Sequence, residues 1–116
     1  MPKIPIIKMK HKIKELSNNE LDMVVAYCLS KNCTMKMGGI YDLNLGRKYS
    51  PSTNNDDFYE ILGYGVDISS TDSLWFAAMG DVLVQHPDCR VATAQCFAIH
   101  TLKTDEVEFP DSYINL

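Results

Sequence analysis

The chain has 116 residues, 46% of them apolar and 22% charged, which is the make-up of an ordinary globular protein long enough to bury a core. Its longest apolar run, Leu74 to Met79, falls far short of the roughly 20 residues that span a bilayer, so no membrane segment is expected. The net charge of −4 is unevenly placed: Lys3, Lys8, Lys10, Lys12 and Lys14 precede the first acid, Glu15, and the remainder carries fifteen acids against six bases, a balance that repels phosphate backbones and disfavours general nucleic-acid binding.

Those early lysines stand where an export signal would need an apolar stretch, so a cytoplasmic chain is expected. Its four cysteines, Cys28, Cys33, Cys89 and Cys96, are then read as reduced, mostly buried small hydrophobes.

From Ile7 to Lys14 apolar and basic residues alternate strictly, predicting a half-buried strand with its lysines on a solvated face. Ser17-Asn18-Asn19-Glu20 is a capping box, flanked by Leu16 and Leu21 as a hydrophobic staple. A helix follows, running to about Leu29, because Leu21, Val24, Val25, Cys28 and Leu29 recur at helical spacing. Met35 to Leu43 reads as a short strand interrupted by Gly38-Gly39, with a turn at Asn44-Leu45-Gly46.

Arg47 to Thr53 reads as a polar loop whose Ser or Thr caps a short helix over Asn55 to Leu62, ended by Gly63 and Gly65. Val66 to Ser69 and Ser73 to Met79 predict a hairpin about Ser70-Thr71-Asp72, and this hairpin carries the single tryptophan, Trp75. Pro87 and Asp88 suit the start of a long helix with Val91, Ala94, Ala98 and Leu102 on one stripe. Val107 to Phe109 is a last short strand, stopped by Pro110. Together these elements predict a single α+β domain over residues 1–116, with a small antiparallel sheet covered on one face by the two main helices.

The same order of motifs resembles the NinX-like family of small bacteriophage proteins over nearly the whole chain. The likeness rests on Met9 to Leu16, Leu21-Asp22 with Val25-Ala26, and Tyr49-Ser50-Pro51-Ser52-Thr53. Trp75 with Ala77, the helix around Ala92, Ala94 and Ala98, and Asp105-Glu106-Val107 before Pro110 complete it. Met23 and Asn55 depart from it where aromatics often follow in the family, so no role of those aromatics carries over. The resemblance implies a phage or prophage origin and a bacterial host cytoplasm. Small phage accessory proteins commonly counter host defences by blocking a host protein or sequestering a nucleotide signal, which is an analogy of class only.

Candidate chemistry is sparse. Cys28 and Cys33 with His86 and Cys89 offer zinc-type ligands at loose spacing, and unrelated thiols account for them better. His11 reads as a core residue, His100 as a solvated one, and no histidine sits in a nucleophile motif. Asp105, Glu106, Glu108 and Asp111 suit a cation or an exposed acidic tail equally.

The loop from Gly46 to Thr53 is the strongest candidate site. Arg47, Lys48, Ser50, Ser52 and Thr53 gather cations and hydroxyls before a helix N-terminus, the makings of an anion cradle in which Arg47 and Lys48 face solvent, with Tyr49 or Trp75 able to stack on a base. Turn and cap chemistry explains the same hydroxyls, and Asp56 and Asp57 already supply negative charge to that helix start. The expectation is thus a non-enzymatic protein without cofactor or metal that binds a small anionic ligand such as a nucleotide. The alternative is an inhibitor that binds a host protein through its surface, and self-association stays open.

Overall fold

The computed structural model describes residues 8–36 and 38–110. Its elements are β1 (Lys8–Lys12), a 3-10 turn (Ile13–Glu15), α1 (Asn18–Cys28), β2 (Cys33–Lys36), β3 (Gly39–Asp42), β4 (Arg47–Tyr49), α2 (Asn55–Leu62), β5 (Asp67–Thr71), β6 (Leu74–Met79), β7 (Val82–His86), α3 (Cys89–Leu102) and β8 (Glu106–Pro110). The fold is α+β with antiparallel strands, but the single expected sheet is three: β1-β8, β2-β3-β4 and β5-β6-β7.

The helix starts follow their local signals. The Ser17 hydroxyl accepts from the Glu20 amide at 3.3 Å and Glu20 Oε1 accepts from the Ser17 amide at 2.9 Å, so both orphan donors of the capping box are satisfied. Leu21 is fully buried and Leu16 packs against the core, as a staple requires. Helix α3 starts two residues later than Pro87, with Asp88 as the cap accepting from the amides of Arg90 and Val91.

Helix α3 is the centre of the molecule. It packs on α1, α2, β6 and β7, and every residue from Val91 to Ala98 is buried, Thr93 and Gln95 included, so it is enclosed on all sides instead of burying one stripe. Ala92, Ala94 and Ala98 keep it slim enough for neighbours to approach on every side. A helix surrounded in this way cannot share one sheet face with α1, which packs on β3 instead.

Three local readings are corrected. The strand expected over Ile7 to Lys14 stops at Lys12, because the Ile13 amide donates to the Asp105 carbonyl at 2.8 Å and the chain bends to bury Ile13 completely; Ile7 lies outside the described residues. Met35 to Leu43 is a hairpin and not one interrupted strand: Gly38 and Gly39, at φ +91° and +140°, reverse the chain so that Lys36 faces Gly39. The expected strand before Pro110 instead runs from Glu106 through Pro110, paired with β1.

Strand β7 was not anticipated. Gly80, at φ +60°, and Asp81 form a two-residue turn that folds Val82 to His86 back on β6, with Val84 buried beneath it. Asp72, at φ +49°, and Ser73 join β5 to β6 by another two-residue turn.

Candidate functional site

The segment expected to be a polar loop is mostly interior. Arg47, Lys48 and Tyr49 form β4 against Asp42, Tyr41 and Ile40 of β3, and alternation along that strand turns Tyr49 fully into the core while Lys48 stays exposed. Ser50, Pro51 and Ser52 are buried as well, leaving Thr53 as the exposed end. Polar residues tolerate such burial only where their backbone groups find partners.

Those partners are carboxylates. The Ser50 amide donates to Asp57 Oδ2 at 2.8 Å, and the Arg47 guanidinium donates to both Asp57 oxygens at 2.8 and 3.1 Å. The Ser52 amide donates to Asp22 Oδ1 at 2.9 Å. The Ser50 and Thr53 hydroxyls bond each other. The cap of α2 is Asn54, which accepts from the Asp57 amide at 3.1 Å, and not a Ser or Thr, whose hydroxyls bond other partners. At the far end, Arg90 of α3 donates to the Thr53 carbonyl at 2.7 Å and to Asn55 Oδ1 at 3.2 Å.

The chemistry of an anion cradle is therefore present, with the anion supplied from inside the chain. Asp57, at the third position of α2, satisfies Arg47 and the Ser50 amide together. Arg47 does not face solvent freely: its hydrogen bonds to Asp57 raise its pKa further, outweighing the opposing effect of desolvation. Trp75 stands apart. It lies in β6, in register with Ser70 and His86, whereas the contacts that organise the loop run to α1, α2 and α3.

A second cluster adjoins the loop. Tyr49 donates its hydroxyl to Glu60 Oε1 at 3.1 Å, and Lys31 lies 4.8 Å from the centre of the Tyr49 ring while pairing with Glu60 at 3.2 Å and Asp42 at 3.6 Å. Burial, with Glu60 beside it, pushes the Tyr49 hydroxyl far above the ordinary tyrosine range. Glu60 and Asp42 keep Lys31 protonated beyond its usual range, outweighing the opposing pull of desolvation.

Asp22 is the least comfortable group. Its side chain is 1% exposed, Oδ2 accepts no hydrogen bond among the described residues, and burial raises its pKa to about 6. The Ser52 amide, the nearby Ser52 and Ser50 hydroxyls and the Lys48 charge pull it back down.

The other candidates are dispersed. His86 Nδ1 accepts from the Asp88 amide at 2.9 Å and so braces the start of α3. His100 is half-buried, and its ring packs so close to Gly80 that a Cβ there would stand 3.0 Å from Nε2. The four cysteines are free thiols, and burial pushes Cys28 and Cys96 up to about 11, which disfavours the thiolate form of both. No three His, Cys, Asp or Glu side chains converge among the described residues, and Asp111 lies outside them. No described helix is long and apolar enough to cross a membrane.

Asp22, Glu60, Lys31 and Arg90 were missed as partners of the loop. Only Asp57 carried a signal, standing three residues after Asn54 at the spacing of a capping box. No protein-family model matches the chain, and no curated protein matches it.

Proposed function

We propose that the chain is a non-enzymatic binding protein whose target is another protein, engaged through exposed tyrosine and leucine side chains around the Lys31 cluster. The carrying observation is that Tyr27 (77% exposed), Leu43, Leu45 and Tyr59 are all open to solvent on segments that this cluster ties together. Tyr27 is in the last turn of α1, four residues before Lys31, Tyr59 is next to Glu60, and the Leu45 amide donates to Asp42 Oδ1 at 3.1 Å. The Leu43 amide donates to the Asn32 carbonyl at 2.9 Å, just beyond α1. Exposed tyrosines on a braced frame supply large contact area at little entropic cost, and aromatic side chains are enriched where proteins bind proteins.

The resemblance to NinX-like phage proteins supports a host factor in the bacterial cytoplasm as the target, and counter-defence as the purpose. The small-anion reading keeps less support, since Arg47, although partly open to solvent, and the Ser50 and Ser52 amides are engaged by Asp57 and Asp22, which leaves Lys48 and Thr53 as the exposed loop residues not tied to a carboxylate.

The test is quantitative affinity capture from a bacterial host lysate with the native protein and a Tyr27→Ser, Tyr59→Ser double variant. A host protein retained by the native chain and lost by an equally stable variant is the expected result. An identical set of proteins on both would refute the reading.

A further inference from the structure

We infer that strand β5 is a docking edge for a second copy of this chain, which it pairs with antiparallel about a two-fold axis through Ser69. All five residues of β5, Asp67 to Thr71, are exposed, including Ile68 and Ser70 on the face that turns toward α3 further along the sheet. Nothing among the described residues pairs with its outer side. Natural edge strands are usually protected by lysine, proline or a bulge, and β5 has none of these.

Which backbone groups are free follows from the turn. Thr71 and Leu74 face each other across the two-residue turn Asp72-Ser73, and a pair that closes such a turn exchanges both hydrogen bonds. Bonding then alternates along β5, so Thr71, Ser69 and Asp67 direct N–H and C=O to β6, while Ile68 and Ser70 direct theirs outward. The occupant must therefore be a strand that presents two such residues at the same spacing, and β5 itself is one.

Only the register centred on Ser69 uses the whole strand. It sets Ile68 against the partner's Ser70, so that each pair exchanges two backbone hydrogen bonds, and sets Ser69 against its own copy. Charge also favours it: the one ionised group of the strand, Asp67, meets the partner's Thr71, a hydroxyl donor, and never another acid. The result is a continuous six-stranded sheet. Five paired residues bury far less than the ~1,200 Å² of a stable interface, so association belongs at high micromolar concentration.

Sedimentation and light scattering from low micromolar to near-millimolar protein should show the mass rise from 13.1 kDa toward its double. Ser69→Lys puts two like charges at the axis and should raise the dissociation constant by about tenfold or more. Ser70→Pro removes an outward N–H that the monomer does not use, and should act alike. Hydrogen exchange should slow at the Ile68 and Ser70 amides as concentration rises. A mass fixed at one chain overturns the proposal, as does a dimer that survives both substitutions. Protection of those two amides at the lowest concentration overturns it too, since the edge would then be covered within the chain.

Discussion

Arg47 grips both oxygens of Asp57 with parallel hydrogen bonds of 2.8 and 3.1 Å, although its own side chain is 42% exposed and that of Asp57 only 4%. Removing the exposed partner therefore strands the buried one. Arg47→Ala is expected to cost about 1–3 kcal/mol, nearer the lower figure because solvent reaches the arginine, with a melting temperature lower by several degrees. Arg47→Lys keeps the charge but loses the fork, and should fall between. A urea titration checks both, and an Arg47→Ala variant as stable as the native protein would show that the Ser50 amide alone suffices for Asp57.

Asp22 makes stability fall as pH rises. Its folded pKa of about 6 lies above the ordinary 3.8, so the folded state holds this proton more tightly than the unfolded chain does. The contribution is full below about pH 4, is lost between about 4 and 6, and leaves a penalty of up to about 3 kcal/mol at neutral pH. Asp22→Asn retains an oxygen for the Ser52 amide without the charge. It should match the native protein at pH 4 and exceed it at pH 7, and a difference that does not vary with pH would contradict this account of Asp22.

Tyr49→Phe deletes the hydroxyl that Glu60 accepts, while Lys31 still pairs with Glu60. A loss of about 0.5–1.5 kcal/mol is expected. Because the folded chain holds the phenol neutral, the unfolded chain loses this proton first as pH passes about 10, and stability drops from there. In an ultraviolet titration the two proteins should show the same tyrosinate step until they unfold, and a smaller step in the variant before unfolding would mean that Tyr49 is reachable by hydroxide.

Nucleotides should leave the melting temperature unchanged. A site on Arg47 and the loop amides would have to displace Asp57, whereas a ligand at 100 times its dissociation constant would otherwise add roughly 2.7 kcal/mol. A panel of mono-, di- and cyclic nucleotides decides the matter. A shift abolished by Lys48→Ala would restore the small-anion reading at the exposed end of the loop.

Whatever depends on a few neighbouring residues was legible in the sequence. The Ser17 box, the bounds of α2 and the existence of the β5–β6 hairpin came from local chemistry, although its turn is Asp72-Ser73 and the Ser70 and Thr71 expected in the turn are paired strand residues. The burial of Tyr49 to Ser52 did not, because Ser-Pro-Ser has the composition of an exposed turn and its partners are distant: Asp22 is 30 positions from Ser52, and Arg90 is 37 from Thr53. The same holds for α3, whose stripe was visible while Thr93 and Gln95 gave no sign that its other faces are enclosed. For the loop, the cations and hydroxyls stand out in the sequence, but the bonding of Asp57 to Arg47 and the Ser50 amide does not, since nothing in the spacing from Arg47 to Asp57 shows that they meet.

The ladder that sets Lys8 beside Pro110 and Lys12 beside Glu106 brings the two ends of the described chain side by side, while every other sheet is built from strands that follow one another directly. Topologically the molecule is close to a ring, cut between β8 and β1. A short linker from residue 110 to residue 8 would close it, and new ends opened at the exposed Asp72-Ser73 turn would disturb no strand outside that hairpin. A circular permutant made in this way should fold to the same core, with β5 and β6 now terminal strands that still find each other in space.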